Sequence, residues 1–160
     1  MDWLYAAPMA ASCLHITEEF FFPGGFAAWD RRYRPQFANS ITSRLHITMN
    51  VLLLVLCYDV WAVRHRSFGP LLWMTVAALV FTNALWHLRG AWKTRGYSPG
   101  MATGTLLYIP MTIYGYAHLV RSHAAPPLTA LLGFAIGSSY LLISPLMHRI
   151  RTRSAVKNPR

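Results

Sequence analysis

Apolar and polar positions alternate along this chain in long blocks. Residues 101–120 and 128–147 contain no charged side chain, and further apolar blocks cover residues 3–22, 42–63 and 71–88. Mostly apolar runs of about 20 residues match the thickness of the hydrocarbon core of a bilayer. The pattern therefore predicts an all-α, five-transmembrane-helix bundle, whose fourth helix covers residues 99–120 and whose fifth covers residues 127–147.

Prolines and glycines mark the ends of these segments. Pro23-Gly24-Gly25 ends the first helix, while Pro70, Pro99 and Pro127 suit the first turn of a helix, where a missing N–H does no harm. No basic residue precedes the first apolar block, so we expect a retained helix and not a cleaved signal peptide. The predicted organisation is one transmembrane domain, residues 1–148, followed by a basic cytoplasmic tail, residues 149–160.

Composition and charge agree with a membrane protein. The chain is 54% hydrophobic and 12% charged, whereas soluble domains carry about 25% charged residues. Most of its 15 lysines and arginines follow the first and third helices or lie in the tail, which predicts an N-terminus outside and a C-terminus inside. We expect a multi-pass protein of a bacterial plasma membrane. The net charge of +10 then reflects loop orientation and contact with the lipid bilayer, not nucleic-acid binding.

Polar side chains gather near the predicted cytoplasmic ends of four helices. Glu18 and Glu19 follow His15 by three and four positions, which puts both carboxylates on the imidazole's side of the first helix. The other helices contribute His46, Asn50, Asn83, His87, Tyr97, Ser98 and Thr103 at a similar depth. Two neighbouring anions in a low dielectric share a proton, pair with a cation or bind a metal. We therefore predict one shared polar site in the cytoplasmic half of the bundle.

Two ordered motifs add to this prediction. The first is His15-Ile16-Thr17-Glu18-Glu19, followed by FFFPGGFAAW, and the second covers residues 83–110, with Asn-x-x-x-His, Tyr-Ser-Pro-Gly and Thr in order. Both resemble motifs of a family of small integral-membrane proteins named for its H-x-x-E-E motif. The resemblance covers most of the chain and implies a five-helix membrane protein with a shared polar site. It implies no reaction, so the function must be inferred from residue chemistry.

The first functional hypothesis is a metal-dependent membrane enzyme, a hydrolase or an oxidoreductase. Histidine and glutamate one turn apart offer two ligands on one side of a helix, as in many zinc and di-iron sites. The predicted ligands of a zinc or iron ion are His15, Glu18, Glu19, His46 and His87. The predicted catalytic residues are Glu18, Glu19, Asn83 and Tyr97, acting on a lipid-like substrate. Backbone N–H groups at Gly100 and Met101 would hold an anion at the start of the fourth helix.

The sequence is also compatible with functions other than a metal-dependent enzyme. A glutamate kept neutral by its neighbour can act in metal-free acid–base catalysis, such as isomerisation or cyclisation of a sterol- or terpene-like substrate. A non-enzymatic carrier or binding subunit is a further class. In a purely structural alternative, Arg31, Arg32 or Arg44 would pair with a glutamate at the membrane boundary. The sequence does not indicate the oligomeric state.

Overall fold

The computed structural model describes residues 2–157, and all regular secondary structure in this range is helical. The helices are α1 (Asp2–Phe20), α2 (Phe26–Tyr33), α3 (Ser43–Ala62), α4 (Gly69–Thr94), α5 (Met101–Thr103), α6 (Ile109–Arg121), α7 (Pro127–Ser138) and α8 (Tyr140–Lys157). A 3₁₀ turn covers Pro35–Phe37, and a π-helical turn, Gly104–Tyr108, joins α5 to α6. The predicted all-helical class is confirmed.

Three helical segments within residues 2–157 are long and apolar enough to cross a membrane, and not the five predicted. They are Ser43–Ala62, Gly69–Thr94 and Pro127–Thr152. The polar side chains of His15, Glu18 and Glu19 lower the hydropathy of α1. The predicted fourth helix is divided by the π-helical turn, so that α6 has only 13 residues. The three long segments are compatible with a membrane protein.

Several helix boundaries differ from the prediction in ways that shape the site. Helix α4 continues to Thr94, beyond the predicted end at residue 88, so Arg89 and Lys93 lie on a helix and not in a loop. Helix α8 continues through the predicted tail as far as Lys157, and residues 158–160 lie outside the described residues. Helix α2 occupies a predicted loop and packs on α4, where the Trp29 and Trp86 rings lie 5.4 Å apart.

The hydrophobic core surrounds α4. The buried Trp73 indole on α4 donates a hydrogen bond to the Leu4 carbonyl of α1 at 2.8 Å. Helix α7 approaches α4 closely because it presents glycine: a Cβ at Gly133 would lie 2.7 Å from Cβ of Met74. Small residues at such contacts let helices pack backbone to backbone, as is common in membranes. Helix α4 therefore holds a fixed position against α1 and α7.

Large apolar side chains cover the outer surface of the molecule. Leu14 on α1, Val55 on α3, Leu106 in the π-helical turn, Leu131 on α7 and Leu142 on α8 are between 50% and 76% exposed. Soluble monomers rarely expose large apolar patches. This outer surface suits contact with lipid chains, including at α1 and the π-helical turn.

Candidate metal centre

The centre of the candidate site is Glu19, which faces two imidazoles. His15, one turn earlier on α1, places its Nε2 3.4 Å from Oε1 of Glu19. His87 on α4 places its Nε2 3.3 Å from the same oxygen. All three side chains are buried, and their ligand atoms lie within 4.8 Å of one another. The structure thus brings together three of the five predicted ligands.

The far nitrogen of each imidazole is held by a hydroxyl group. His15 Nδ1 lies 2.9 Å from Oγ1 of Thr103, and His87 Nδ1 lies 2.9 Å from Oγ of Ser98. Metal-binding histidines usually donate their second N–H to such an outer partner, which fixes the ring orientation and the tautomer. The two Nε2 atoms are buried and, among the described residues, have no aligned hydrogen-bond partner. Each ring therefore points its Nε2 atom, the nitrogen that is not bound to a hydroxyl group, towards Glu19.

Gly100 leaves room beside the two rings. A Cβ at this position would lie 2.7 Å from Cε1 of His15 and also 2.7 Å from Cε1 of His87. The backbone φ of +96° also belongs to the left-handed region, where glycine is favoured over other residues. A side chain at residue 100 would thus push into the space between the imidazoles.

Glu18 has a separate role from Glu19. Its carboxylate accepts hydrogen bonds from the N–H groups of Gly100, Ala102 and Thr103 at 2.9, 3.0 and 2.7 Å. The hydroxyl groups of Thr103 and Tyr97 also donate to it. Gly100 and Met101 were predicted to hold a bound anion, but the Gly100 N–H binds the chain's own Glu18 and the Met101 N–H donates to the Ser98 carbonyl at 2.9 Å. Glu18 thus caps that helix.

Tyr97 contacts Glu18 and not the Glu19 cluster. Burial and the neighbouring Glu18 carboxylate raise the pKa of Tyr97 to about 12. The phenol is consequently protonated at neutral pH and acts as a hydrogen-bond donor. The structure thus places Tyr97 with the helix cap.

His46 lies in a second polar cluster and not beside Glu19. Its Nε2 is 3.3 Å from Oδ2 of Asp30. Arg34 donates to both oxygens of the same carboxylate, at 2.7 and 2.6 Å. Burial raises the pKa of Asp30, but the contacts with His46 and Arg34 outweigh it and hold that pKa below its ordinary value of 3.8. His46, a predicted metal ligand, thus contacts Asp30 and does not join the cluster around Glu19.

The same cluster reaches the last helix through His148. Nδ1 of His148 lies 2.7 Å from Oγ of Ser40, and its Nε2 lies 3.3 Å from the Arg34 guanidinium. The side chain of His148 is buried. A buried histidine at this position was not predicted, because the prediction ended the last helix one residue earlier.

A cavity of about 700 Å³ opens beside Glu19, bounded by α2, the 3₁₀ turn, α3, α4 and α8. Asn50 lines it and donates a hydrogen bond to Oε2 of Glu19 at 3.0 Å. Asn83, a predicted catalytic residue, lines the same cavity. The Asn83 Oδ1 is buried and has no hydrogen-bond partner in the described part of the chain. Glu19 therefore lies between the two histidines and a cavity whose volume is typical of ligand pockets.

The fold and site define a helical, membrane-compatible protein with a buried histidine–glutamate centre. A family model described as "Protein of unknown function with HXXEE motif" matches residues 6–115. The chain belongs to this family, and the motif residues His15, Glu18 and Glu19 lie within the match. No curated protein and no solved structure matches the chain.

Proposed function

We propose that His15, Glu19 and His87 bind one divalent metal ion, zinc or iron, in an enzyme that acts on a lipid-like substrate. The observation that carries the proposal is that two buried imidazoles direct unpartnered Nε2 atoms at one carboxylate oxygen. Nitrogen and carboxylate oxygen are the usual ligands of zinc and iron sites in proteins.

The distances support a single ion. Tetrahedral ligands with metal bonds of about 2.0–2.2 Å lie about 3.3–3.6 Å from one another. The observed separations of Glu19 Oε1 from the two Nε2 atoms are 3.4 and 3.3 Å. Small adjustments would suffice to place an ion between them. Three protein ligands leave a fourth position for water or substrate, which is typical of catalytic sites and not of structural ones.

The cavity beside Glu19 supports action on an amphiphile. A bound divalent ion lowers the pKa of a water ligand or polarises a carbonyl or phosphoryl oxygen. Asn83 and Asn50 line the same space and are suited to orienting a substrate by hydrogen bonds. Hydrolysis and oxidoreduction are the two reaction classes that this ligand set favours.

The proposed setting is a bacterial plasma membrane, with the N-terminus outside and the C-terminus inside. The exposed apolar residues of α1 and of the π-helical turn support placing residues 2–20 and 101–121 in the bilayer beside the three long helices. Cysteine labelling of intact cells tests this topology: position 123 should react with an impermeant reagent, and position 95 should not. The reverse pattern would contradict the orientation.

Metal analysis of protein purified in a neutral maltoside detergent tests the function. We expect about one equivalent of zinc or iron in the wild type, and its loss in His15→Ala, His87→Ala and Glu19→Gln. His46→Ala is the matched control, because it removes a buried imidazole that faces Asp30. Thermal unfolding in the presence of a chelator establishes that each variant is folded.

Two outcomes would overturn the metal proposal. One is a folded wild type that binds neither ion after dialysis against it. The other is equal metal loss in His46→Ala and His87→Ala. Metal-free protein whose activity depends on Glu19 would instead support the acid–base alternative.

A further inference from the structure

The cavity beside Glu19 is strongly basic on one side. Its lining contains the four cations Arg32, Arg34, Arg89 and Lys93, against the single carboxylate of Glu19. Arg34 is neutralised by its bidentate contact with Asp30. The other three have no acidic side chain within ion-pair distance among residues 2–152. The lining therefore carries positive charge that its own carboxylates do not balance.

Apolar and aromatic side chains form the remaining walls. Phe26, Leu45, Met49, Trp86 and Leu141 line the cavity together with the cations. Ligand pockets of about 300–1,000 Å³ are typically apolar with a few placed polar groups. A purely inorganic anion would leave these apolar walls without a partner. The composition of the lining matches a ligand that has both an apolar chain and an anionic group.

Helix α4 sets the separation between the two ends of the cavity. Asn83, Arg89 and Lys93 all line it from this one helix. At a rise of 1.5 Å per residue, Arg89 lies about 9 Å and Lys93 about 15 Å along the axis from Asn83. In the metal-free protein, the carboxylate of Glu19 repels an anion at the inner end. The cations attract an anion to the outer end whether or not a metal ion is bound. A ligand is thereby oriented along α4.

We propose that this cavity binds an amphiphile with an anionic head group, such as a phosphate or carboxylate. The head group binds Arg32, Arg89 and Lys93, and the apolar chain extends towards Glu19. The assignment of the chain end as the reacting part depends on the proposed metal function, whereas binding of the head group does not.

Titration of purified protein with dodecyl phosphate, followed by ³¹P NMR in neutral maltoside micelles, tests this inference. We expect saturable binding that weakens at least about tenfold in Arg89→Gln/Lys93→Gln, because charge-assisted hydrogen bonds are lost. Arg66→Gln/Arg121→Gln removes the same charge from exposed positions outside the cavity. This control should change affinity by less than about twofold, because distant surface charges are screened by salt.

Two further ligands distinguish the contribution of the anionic group from that of the apolar chain. Dodecyltrimethylammonium should not displace dodecyl phosphate, and inorganic phosphate should bind at least about tenfold more weakly, since it buries no apolar surface. Equal affinity for inorganic phosphate would contradict an amphiphile, and displacement by the ammonium compound would contradict an anion-selective site. Unchanged binding in Arg89→Gln/Lys93→Gln would overturn the proposal.

Different variants test metal binding and binding of the head group. His87→Ala should lose metal but retain dodecyl phosphate binding. Arg89→Gln/Lys93→Gln should retain metal but lose dodecyl phosphate binding. Loss of dodecyl phosphate binding in folded His87→Ala would show that the head group binds the metal and not the basic residues, which would overturn the assignment.

Discussion

Replacing Glu18 with glutamine removes the charged cap of the helix that begins at α5, and we expect it to destabilise the fold without removing a metal ligand. One carboxylate oxygen accepts from the N–H groups of Gly100 and Ala102, and the other accepts from the N–H of Thr103. A glutamine amide supplies only one accepting oxygen. In either orientation, its NH₂ group therefore faces at least one backbone N–H.

These contacts determine how much Glu18→Gln lowers the free energy of unfolding. An unsatisfied buried donor costs about 1–3 kcal/mol, and loss of a negative charge at a helix N-terminus costs about 0.3–1 kcal/mol. The hydroxyl groups of Thr103 and Tyr97 can rotate and add little. We expect Glu18→Gln to lower the free energy of unfolding by about 1–4 kcal/mol.

Denaturant titration of the detergent-solubilised protein measures this change, with a chelator present so that metal binding does not contribute to stability. The adjacent substitution Glu19→Gln is the matched control, because it removes an equal charge from the next residue. We expect Glu19→Gln to abolish metal binding, whereas Glu18→Gln retains about one equivalent of metal.

The opposite pattern would refute this assignment of the two glutamates. If Glu18→Gln unfolds like the wild type, the cap does not stabilise the helix. If folded Glu18→Gln loses the metal while Glu19→Gln retains it, Glu18 is the ligand and Glu19 is not.

Three further substitutions test the site and its surroundings. Gly100→Ala should lose bound metal and stability, because its Cβ would lie 2.7 Å from both imidazole rings; metal content equal to the wild type would contradict the close packing. Ser98→Ala should weaken metal affinity by about 10–100-fold in chelator competition, because it removes the Nδ1 partner of His87, whereas the exposed control Ser67→Ala should have no effect. Asp30→Asn should lower the free energy of unfolding at pH 7 by about 3 kcal/mol, since it leaves the partly buried Arg34 guanidinium without its carboxylate partner. Because the folded-state pKa of Asp30 is depressed below 3.8, its contribution is present above that pH and disappears as the pH falls through the folded value. Acid unfolding curves of the two proteins should therefore converge at low pH, and a constant difference would contradict this explanation.

The sequence predicted the helical class and the approach of His15 to the glutamate pair, because both depend on helical spacing. It also placed His87 at a depth where it meets α1. Spacing alone could not separate Glu18 from Glu19, since residues three and four positions from His15 both fall on its side of the helix. The distinction depends on the neighbour that each carboxylate meets, and the start of α5 meets Glu18.

The second polar cluster was not predicted because most of its members come from segments without a clear pattern, while His46 was assigned to the site of Glu19. Asp30 is the acidic residue of a short stretch rich in arginine, which resembles an ordinary solvated loop. His148 is buried because α8 continues beyond residue 147 and contacts the 3₁₀ turn. The grouping of Asp30, Arg34, His46 and His148 thus arises from tertiary packing.

One short segment, residues 98–103, holds side chains from two different helices. Its first and last residues bind the imidazoles of α4 and α1, and its intervening backbone binds Glu18. The distance between the histidines is consequently fixed by a stretch of only six residues and not by the crossing angle of α1 and α4. Bilayers of different thickness change the tilt of membrane helices. In the proposed membrane setting, a centre tied together in this way should keep its geometry when the lipid composition of the cell changes with growth temperature.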